Sequence, residues 1–116
     1  MTPDELKDRS KKFALRTIKL VAALPRLRAA QIIGDQLLRA GTAVGANYRS
    51  ACRARSRADF VAKMGIVEEE TDESLYWLEL LSESGLMTSP EVDAMHGEGQ
   101  ELLAIFSASR KTARDT

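Results

Sequence analysis

The stretch AAQIIGDQLLRAGTAVGANYRSACRAR, residues 29–55, decides the fold, because it is a long amphipathic segment with no proline inside it. Apolar side chains recur along it every three or four residues, which is the period of an α-helix rather than of a strand. At about 1.5 Å per residue the predicted helix is a rod of about 40 Å. A rod of this length buries its apolar side against other helices, so the sequence predicts an all-α fold.

Three further segments have the same period, and start and stop signals separate them. Pro25 ends the first helix, and Ser56-Arg57-Ala58-Asp59 has the pattern of a capping box that begins the third. Gly85 is placed to end the third helix, and Ser89-Pro90-Glu91 to begin the fourth. The three segments are predicted at residues 4–24, 56–84 and 89–114. Short connections between long helices predict an antiparallel up-and-down four-helix bundle, formed as a single domain by residues 1–116.

The charge is unevenly distributed along the chain. Residues 1–63 carry 14 Lys and Arg against 5 Asp and Glu, a net charge of +9, whereas residues 64–116 carry 3 against 12, a net charge of −9. A basic half can indicate a nucleic-acid partner. In a bundle, however, neighbouring helices of opposite charge neutralise each other, and we favour this explanation over a polyanion site.

The second helix has two adjacent apolar stripes, of which one is rich in glycine. That stripe contains Gly34, Leu38, Gly41, Gly45, Tyr48 and Cys52. Glycine inside a helix costs about 1 kcal/mol relative to alanine, so these positions need a packing reason. A subunit interface and a neighbouring helix of the same bundle both provide one. Asn47, on the other stripe, is expected to be a buried amide that is hydrogen-bonded within the bundle.

The third helix carries a second line of side chains beside its core stripe. The line consists of Ile66, Glu70, Glu73, Trp77 and Leu80. A tryptophan beside carboxylates on a partly apolar face is typical of a subunit contact. The expected partners of the two glutamates, within or between subunits, are the arginines around the end of the second helix, Arg49, Arg53, Arg55 and Arg57. The candidate interface or ion-pair residues are Arg39, Gly41, Gly45, Asn47, Tyr48, Arg49, Glu70, Glu73 and Trp77.

The sequence contains no catalytic or metal-binding constellation. Its one histidine, His96, lacks the paired Glu-x-x-His motifs of a di-iron bundle, and its one cysteine, Cys52, has no base to activate it. We therefore expect no enzyme activity, no cofactor and no small-molecule substrate. The candidate nucleic-acid contacts are Arg49, Arg53, Arg55 and Arg57, with Arg39 on the same basic side. The lone cysteine and the absence of a signal or membrane segment favour a cytoplasmic protein.

Two stretches carry a resemblance to a known family. Residues 34–49, GDQLLRAGTAVGANYR, and residues 70–81, ETDESLYWLELL, resemble motifs of the four-helix-bundle protein family, which includes proteins encoded in intervening sequences of 23S ribosomal RNA genes. The resemblance extends over about residues 13–112. It implies a four-helix bundle that assembles into a ring-like homo-oligomer, commonly a pentamer, and it brings no catalytic residues.

The resemblance and the residues together give two functional hypotheses. The first is a non-enzymatic, homo-oligomeric assembly protein whose biochemical role is unknown. The alternative is an accessory factor that binds RNA or DNA through the arginine cluster. The resemblance extends to the barrel-shaped accessory protein of diversity-generating retroelements, which binds nucleic acid and a reverse transcriptase. A relative with that activity is expected to be clearly basic, whereas this chain is neutral overall.

Overall fold

The computed structural model describes all 116 residues, and four helices account for most of them. They are α1 Pro3–Ala22, α2 Arg28–Ala51, α3 Arg57–Glu83 and α4 Pro90–Asp115. Backbone contacts join α1 to α2, α2 to α3 and α3 to α4, and α4 returns beside α1. The bundle measures 47 × 20 × 20 Å. The predicted antiparallel up-and-down four-helix bundle is confirmed.

The second helix ends at Ala51, which is earlier than the predicted end at Arg55. The cap of α3 explains the difference. The Ser56 side chain accepts a hydrogen bond from the Asp59 N–H at 3.0 Å, and the Asp59 carboxylate accepts one from the Arg55 backbone N–H at 3.2 Å. Ser56 is extended, so α2 cannot continue through it. The capping role of Ser56 was predicted, but the reach of the Asp59 carboxylate to Arg55 was not.

The other predicted helix boundaries in this half of the chain follow their residue types. Gly85 ends α3 with a φ of +76°, a conformation that glycine adopts without a Cβ penalty. Ser89 accepts a hydrogen bond from the Glu91 N–H at 3.2 Å, and Pro90 is the first residue of α4. These local signals fix where the chain turns, and so they fix the order in which the helices pack.

One hydrophobic core runs the length of the bundle. Its largest fully buried side chains are Phe13, Phe106, Leu37, Met64, Leu78, Leu81, Met95 and Leu102. Four hydroxyl residues, Ser10, Thr17, Thr71 and Ser74, are also buried. Each donates to the carbonyl four residues earlier in its own helix, at 2.7 to 2.8 Å. Because these hydroxyls are hydrogen-bonded, their burial avoids the penalty of an unpaired polar group.

The glycine stripe of α2 faces α1 of the same bundle. A Cβ on Gly41 would lie 2.5 Å from the Thr17 hydroxyl, and one on Gly45 would lie 3.3 Å from the Ser10 carbonyl carbon. Gly34 approaches Leu24 in the same way. Of the two explanations for the stripe, the contact within the bundle is therefore correct. Gly41 and Gly45, two of the candidate interface residues, therefore pack against α1 of their own chain.

We expect Gly41→Ala to lower the free energy of unfolding. Overpacking typically costs about 1–3 kcal/mol, and the gain in helix propensity offsets about 1 kcal/mol of it. Thr17 cannot move aside easily, because it is fully buried and bonded to the Phe13 carbonyl. Urea unfolding followed by circular dichroism, at one fixed protein concentration, measures the change.

Gly65→Ala is the matched control, because no atom lies within 4 Å of a Cβ placed there. It should raise the free energy of unfolding by up to about 1 kcal/mol. Equal stabilisation by the two alanines would contradict the close approach of α1 and α2.

Candidate functional site

Ion pairs between helices neutralise a large part of the uneven charge. The pairs are Arg9 with Glu98 and Glu101, Arg16 with Glu91, Arg39 with Glu70 and Glu73, and Arg110 with Glu68. In the first three sets an arginine of the basic half meets glutamates of the acidic half. The expected neutralisation between the two halves is thus confirmed for these arginines, but it does not extend to every cation.

A groove between α1 and α2 is lined by cations that take no part in these ion pairs between helices. We define the α1/α2 groove by its lining residues Lys7, Asp8, Lys11, Ala14, Thr42, Gly45, Ala46, Arg49 and Arg53, and its volume is about 470 Å³. Lys11, Arg49 and Arg53 form no salt bridge, and Lys7 is 4.0 Å from the exposed carboxylate of Asp4. The single carboxylate of the groove, Asp8, is held by Lys12 at 2.8 Å. The groove therefore has a net positive charge.

A second concavity lies beside this groove and shares two of its arginines. Arg49 and Arg53 line it together with Ala46, Ser50 and Lys63. Lys63 is 3.1 Å from Asp59, so its charge is partly balanced. Arg49 and Arg53 thus separate two depressions, one toward α1 and one toward Lys63 of α3.

A different surface, which we call the α2/α3 face, carries the line predicted on the third helix. It consists of Ile66, Glu70, Glu73, Trp77 and Leu80 of α3 with Ile32 and Arg39 of α2. Arg39 Nη1 lies 3.2 Å from Glu70 Oε2, and Nη2 bonds to Glu73. The Trp77 indole N–H donates to Glu73 Oε1 at 3.3 Å. These bonds connect the tryptophan to α2 through one carboxylate.

Within one chain, the expectation that Glu70 and Glu73 pair with the arginines at the end of α2 was wrong. Their partner is Arg39, and the reason is the register of antiparallel helices. The chain turns between α2 and α3 near residue 54. A residue of α2 therefore faces the residue of α3 that follows this turn by as many positions as the α2 residue precedes it. This places Arg39 level with Glu70, whereas Arg49 is level with the beginning of α3, where the one carboxylate of the first turn, Asp59, pairs with Lys63.

The same register locates the apolar neighbours of Arg39. Ile32 precedes Arg39 by seven residues, which is two helical turns, and so it lies on the same side of α2. It is therefore level with Trp77 and Leu80, two turns beyond Glu70. Ile32 and Ile66 expose 51% and 44% of their surfaces. The α2/α3 face thus has an ion-paired centre with exposed isoleucines at either end.

The remaining candidate residues of α2 differ in accessibility. Asn47 is half-buried and donates to the Ala43 carbonyl of its own helix at 2.8 Å, so the amide is hydrogen-bonded as expected but is not fully buried. Tyr48 is buried and packs on Phe106 with ring centroids 5.3 Å apart. Burial also raises the pKa of Tyr48. Tyr48, also a candidate interface residue, thus belongs to the core of its own chain.

With this geometry in place, the chain can be compared with known proteins. The family model of the 23S rRNA-intervening sequence protein matches residues 5–108. The chain belongs to that family. A member of the S23 ribosomal protein family from Bacteroides thetaiotaomicron VPI-5482, with unknown function, has a crystal structure at 1.70 Å resolution that is similar to this chain. The two are 34% identical, with a TM-score of 0.87 over 96% of this chain and 99% of the other. No curated protein matches the chain.

Membership in the family fits the bundle and its motifs. Two lysines of the α1/α2 groove, however, were not predicted from the sequence. Lys7 and Lys11 are one turn apart on α1, and they meet Arg49 in the last turn of α2 and Arg53 just beyond its end. The spacing of each pair was visible in the sequence. Their meeting depends on the register between α1 and α2, which the glycine stripe sets. Arg55 and Arg57, predicted with this cluster, do not line the groove.

No group of three or more His, Cys, Asp and Glu side chains is arranged to hold a metal ion. None of the four helices combines the length and the apolar character that a bilayer crossing requires.

The hydrogen bonds from Arg39 and Trp77 to Glu73 depend on the protonation of its carboxylate. The fluorescence of Trp77 can report this pH dependence. Hydrogen bonding from Arg39, with a contribution from the Trp77 indole, holds the pKa of Glu73 below its ordinary value of 4.5. Because this pKa is lowered in the folded state, the stabilisation from the contact is present at neutral pH. It is lost as the pH falls below about 4.5 through the lowered pKa.

We therefore expect the fluorescence of Trp77, the single tryptophan, to titrate with a midpoint below 4.5. Arg39→Ala should move the midpoint upward, because it removes the strongest donor to Glu73. Arg16→Ala is the control, since it breaks an equivalent pair with Glu91 and should leave the midpoint unchanged. Circular dichroism at each pH verifies folding. A titration midpoint that stays the same in Arg39→Ala would contradict the contact between Arg39 and Glu73.

Proposed function

We propose that the chain is a non-enzymatic protein whose function is to assemble with copies of itself. The observation that carries the proposal is the α2/α3 face. Its two isoleucines are exposed at opposite ends of the Arg39 ion pair, and Trp77, level with Ile32, is partly buried against the core. Tryptophan and arginine are the side chains that most often dominate the energy of protein interfaces. An apolar face with a fixed, hydrogen-bonded centre is suited to bury against a second protein surface.

A ring is the assembly that we favour. A ring of more than two copies needs two different surfaces on each subunit, whereas a simple dimer uses one surface twice. The outer side of α1 supplies a second surface, because Leu15 and Ile18 expose about half of their areas, 51% and 47%. The family resemblance implies five copies, so a pentamer is the expected ring. The free thiol of Cys52 is exposed, which fits a reducing, cytoplasmic compartment.

Sedimentation velocity at micromolar concentration tests the assembly. The unmodified protein should sediment as a single oligomer. Ile66→Glu should shift it toward monomer, because the new carboxylate would be buried beside Glu70 and Glu73. The loss of a central contact corresponds to a dissociation constant that is higher by at least about 30-fold.

Ala104→Glu is the matched control for this experiment. Ala104 is exposed on α4, outside the α2/α3 face, so the same change of charge should leave the oligomer intact. A monomer at micromolar concentration in the unmodified protein would refute the proposal. Equal dissociation by the two glutamates would move the interface away from the α2/α3 face.

A second candidate function is nucleic-acid binding, and the unpaired cations of α2 favour it. Arg49 and Arg53 are exposed and have no carboxylate partner, whereas the arginines nearer the middle of the bundle are paired. We propose that these cations bind phosphates of RNA or DNA. Binding of this kind weakens steeply with salt, because each neutralised phosphate releases counterions. Absence of binding to any oligonucleotide at low salt would exclude this function.

A further inference from the structure

We infer that the α1/α2 groove holds the sugar-phosphate backbone of a single nucleic-acid strand, and that Lys7 and Lys11 of α1 bind it together with Arg49 of α2 and Arg53 just beyond the end of α2. This inference rests on the second function proposed above. It goes further by naming the site, two lysines outside the arginine cluster, and the form of nucleic acid.

The charge of the groove is the first argument. Four cations line it, and its one carboxylate, Asp8, is already engaged by Lys12 at 2.8 Å. Elsewhere the bundle pairs its arginines with glutamates across helix boundaries, as it does for Arg9 and Arg16. The charge of this cluster is therefore available to an anion from outside the chain.

The arrangement of the cations is the second argument, and it indicates a chain of phosphates rather than a single anion. Lys7 and Lys11 are separated by one helical turn, so they are spaced by about 5–6 Å along α1, and Arg49 and Arg53 are four residues apart across the end of α2. Successive phosphates of an extended strand have a similar spacing. The second concavity beyond Arg49 and Arg53 extends this basic surface toward α3.

The shape of the groove favours a single strand over a duplex. Small residues line it between the two rows of cations, namely Ala14, Gly45 and Ala46, and the glycine stripe brings the two helices close together. A flexible strand can lie in this depression and contact both rows. A duplex is a rigid convex rod, and its phosphates would meet only the cations on the rim.

The residues of the groove also predict how strongly binding depends on the bases of the strand. Single-strand sites usually stack bases on aromatic side chains, but no aromatic residue lines this groove. The nearest aromatic residue of α2, Tyr48, is buried against Phe106. The groove should therefore bind the backbone with little preference for base sequence.

Fluorescence anisotropy with labelled oligouridylate, and with a labelled RNA duplex of equal length, tests the inference. The single strand should bind more tightly than the duplex. Lys7→Ala combined with Lys11→Ala should weaken binding by about 10-fold or more at low salt. The slope of log K against log salt concentration should become shallower by about 0.7 for each lysine removed. Both positions are at least partly exposed, so folding, checked by circular dichroism, should be retained.

The control is Lys19→Ala combined with Arg28→Ala, which removes the same charge at the opposite end of α1 and α2. It should bind like the unmodified protein. If the unmodified protein binds no oligonucleotide, the nucleic-acid function itself fails. If it binds but both double variants behave alike, nucleic-acid binding stands and the groove assignment is overturned.

Two further outcomes also overturn the assignment. A stronger affinity for the duplex would exclude the single-strand geometry. Sedimentation of the Lys7 and Lys11 double variant as a smaller oligomer would show instead that the groove contacts the acidic surface of a second copy.

Discussion

The close approach of α1 to α2 is the constraint on which the other features of this bundle depend. It exists because three glycines of α2 replace side chains that would collide with Leu24, Thr17 and Ser10. The approach fixes the register of the first two helices, and the buried hydroxyls of Thr17 and Ser10 bond back to their own helix. The same contact places Gly45 beside the rows of cations in the α1/α2 groove. A packing requirement thus shapes the most basic surface of the molecule.

The charges follow from the same geometry. Cations on the sides of α1 and α2 that face α4 and α3 meet carboxylates, and they form pairs such as Arg16 with Glu91. Cations on the outer side, where α1 meets α2, face each other instead. Because both helices belong to the basic half of the chain, no carboxylate of the acidic half reaches the groove. The zero net charge therefore conceals a surface that is neutralised on some sides and basic on one.

Local sequence signals predicted the fold well. Ser56, Gly85 and Ser89 act at the helix ends where their residue types placed them, and the apolar stripes became the core. The end of α2 was placed four residues too late, because no breaker precedes the Ser56 cap. The capping bonds that stop the helix involve the Arg55 backbone, which has no sequence signature.

The candidate site could be predicted only in part, since it depends on which residues of different helices are level with one another. Arg39, Glu70, Glu73 and Trp77 were identified individually, but the pairing was assigned to the wrong arginines. Lys7 and Lys11 were missed for the same reason. Sequence periodicity gives the face of a helix on which a residue lies. The register between two helices is set by turn length and by close contacts such as the glycine stripe, and periodicity does not contain it.

The two proposals use different sides of α2, and they are compatible if the second ring surface, at Leu15 and Ile18, leaves Lys7 and Lys11 beside it on α1 uncovered. Arg39 and Ile32 lie toward α3, whereas Arg49, Arg53 and Gly45 lie toward α1. A subunit contact through the α2/α3 face can therefore leave the α1/α2 groove open. A ring would then present one groove for each copy, and a strand held in one groove would meet the next at a high effective concentration. Four cations without aromatic stacking would bind a strand weakly in a monomer, so repetition around a ring is what would make such a groove effective.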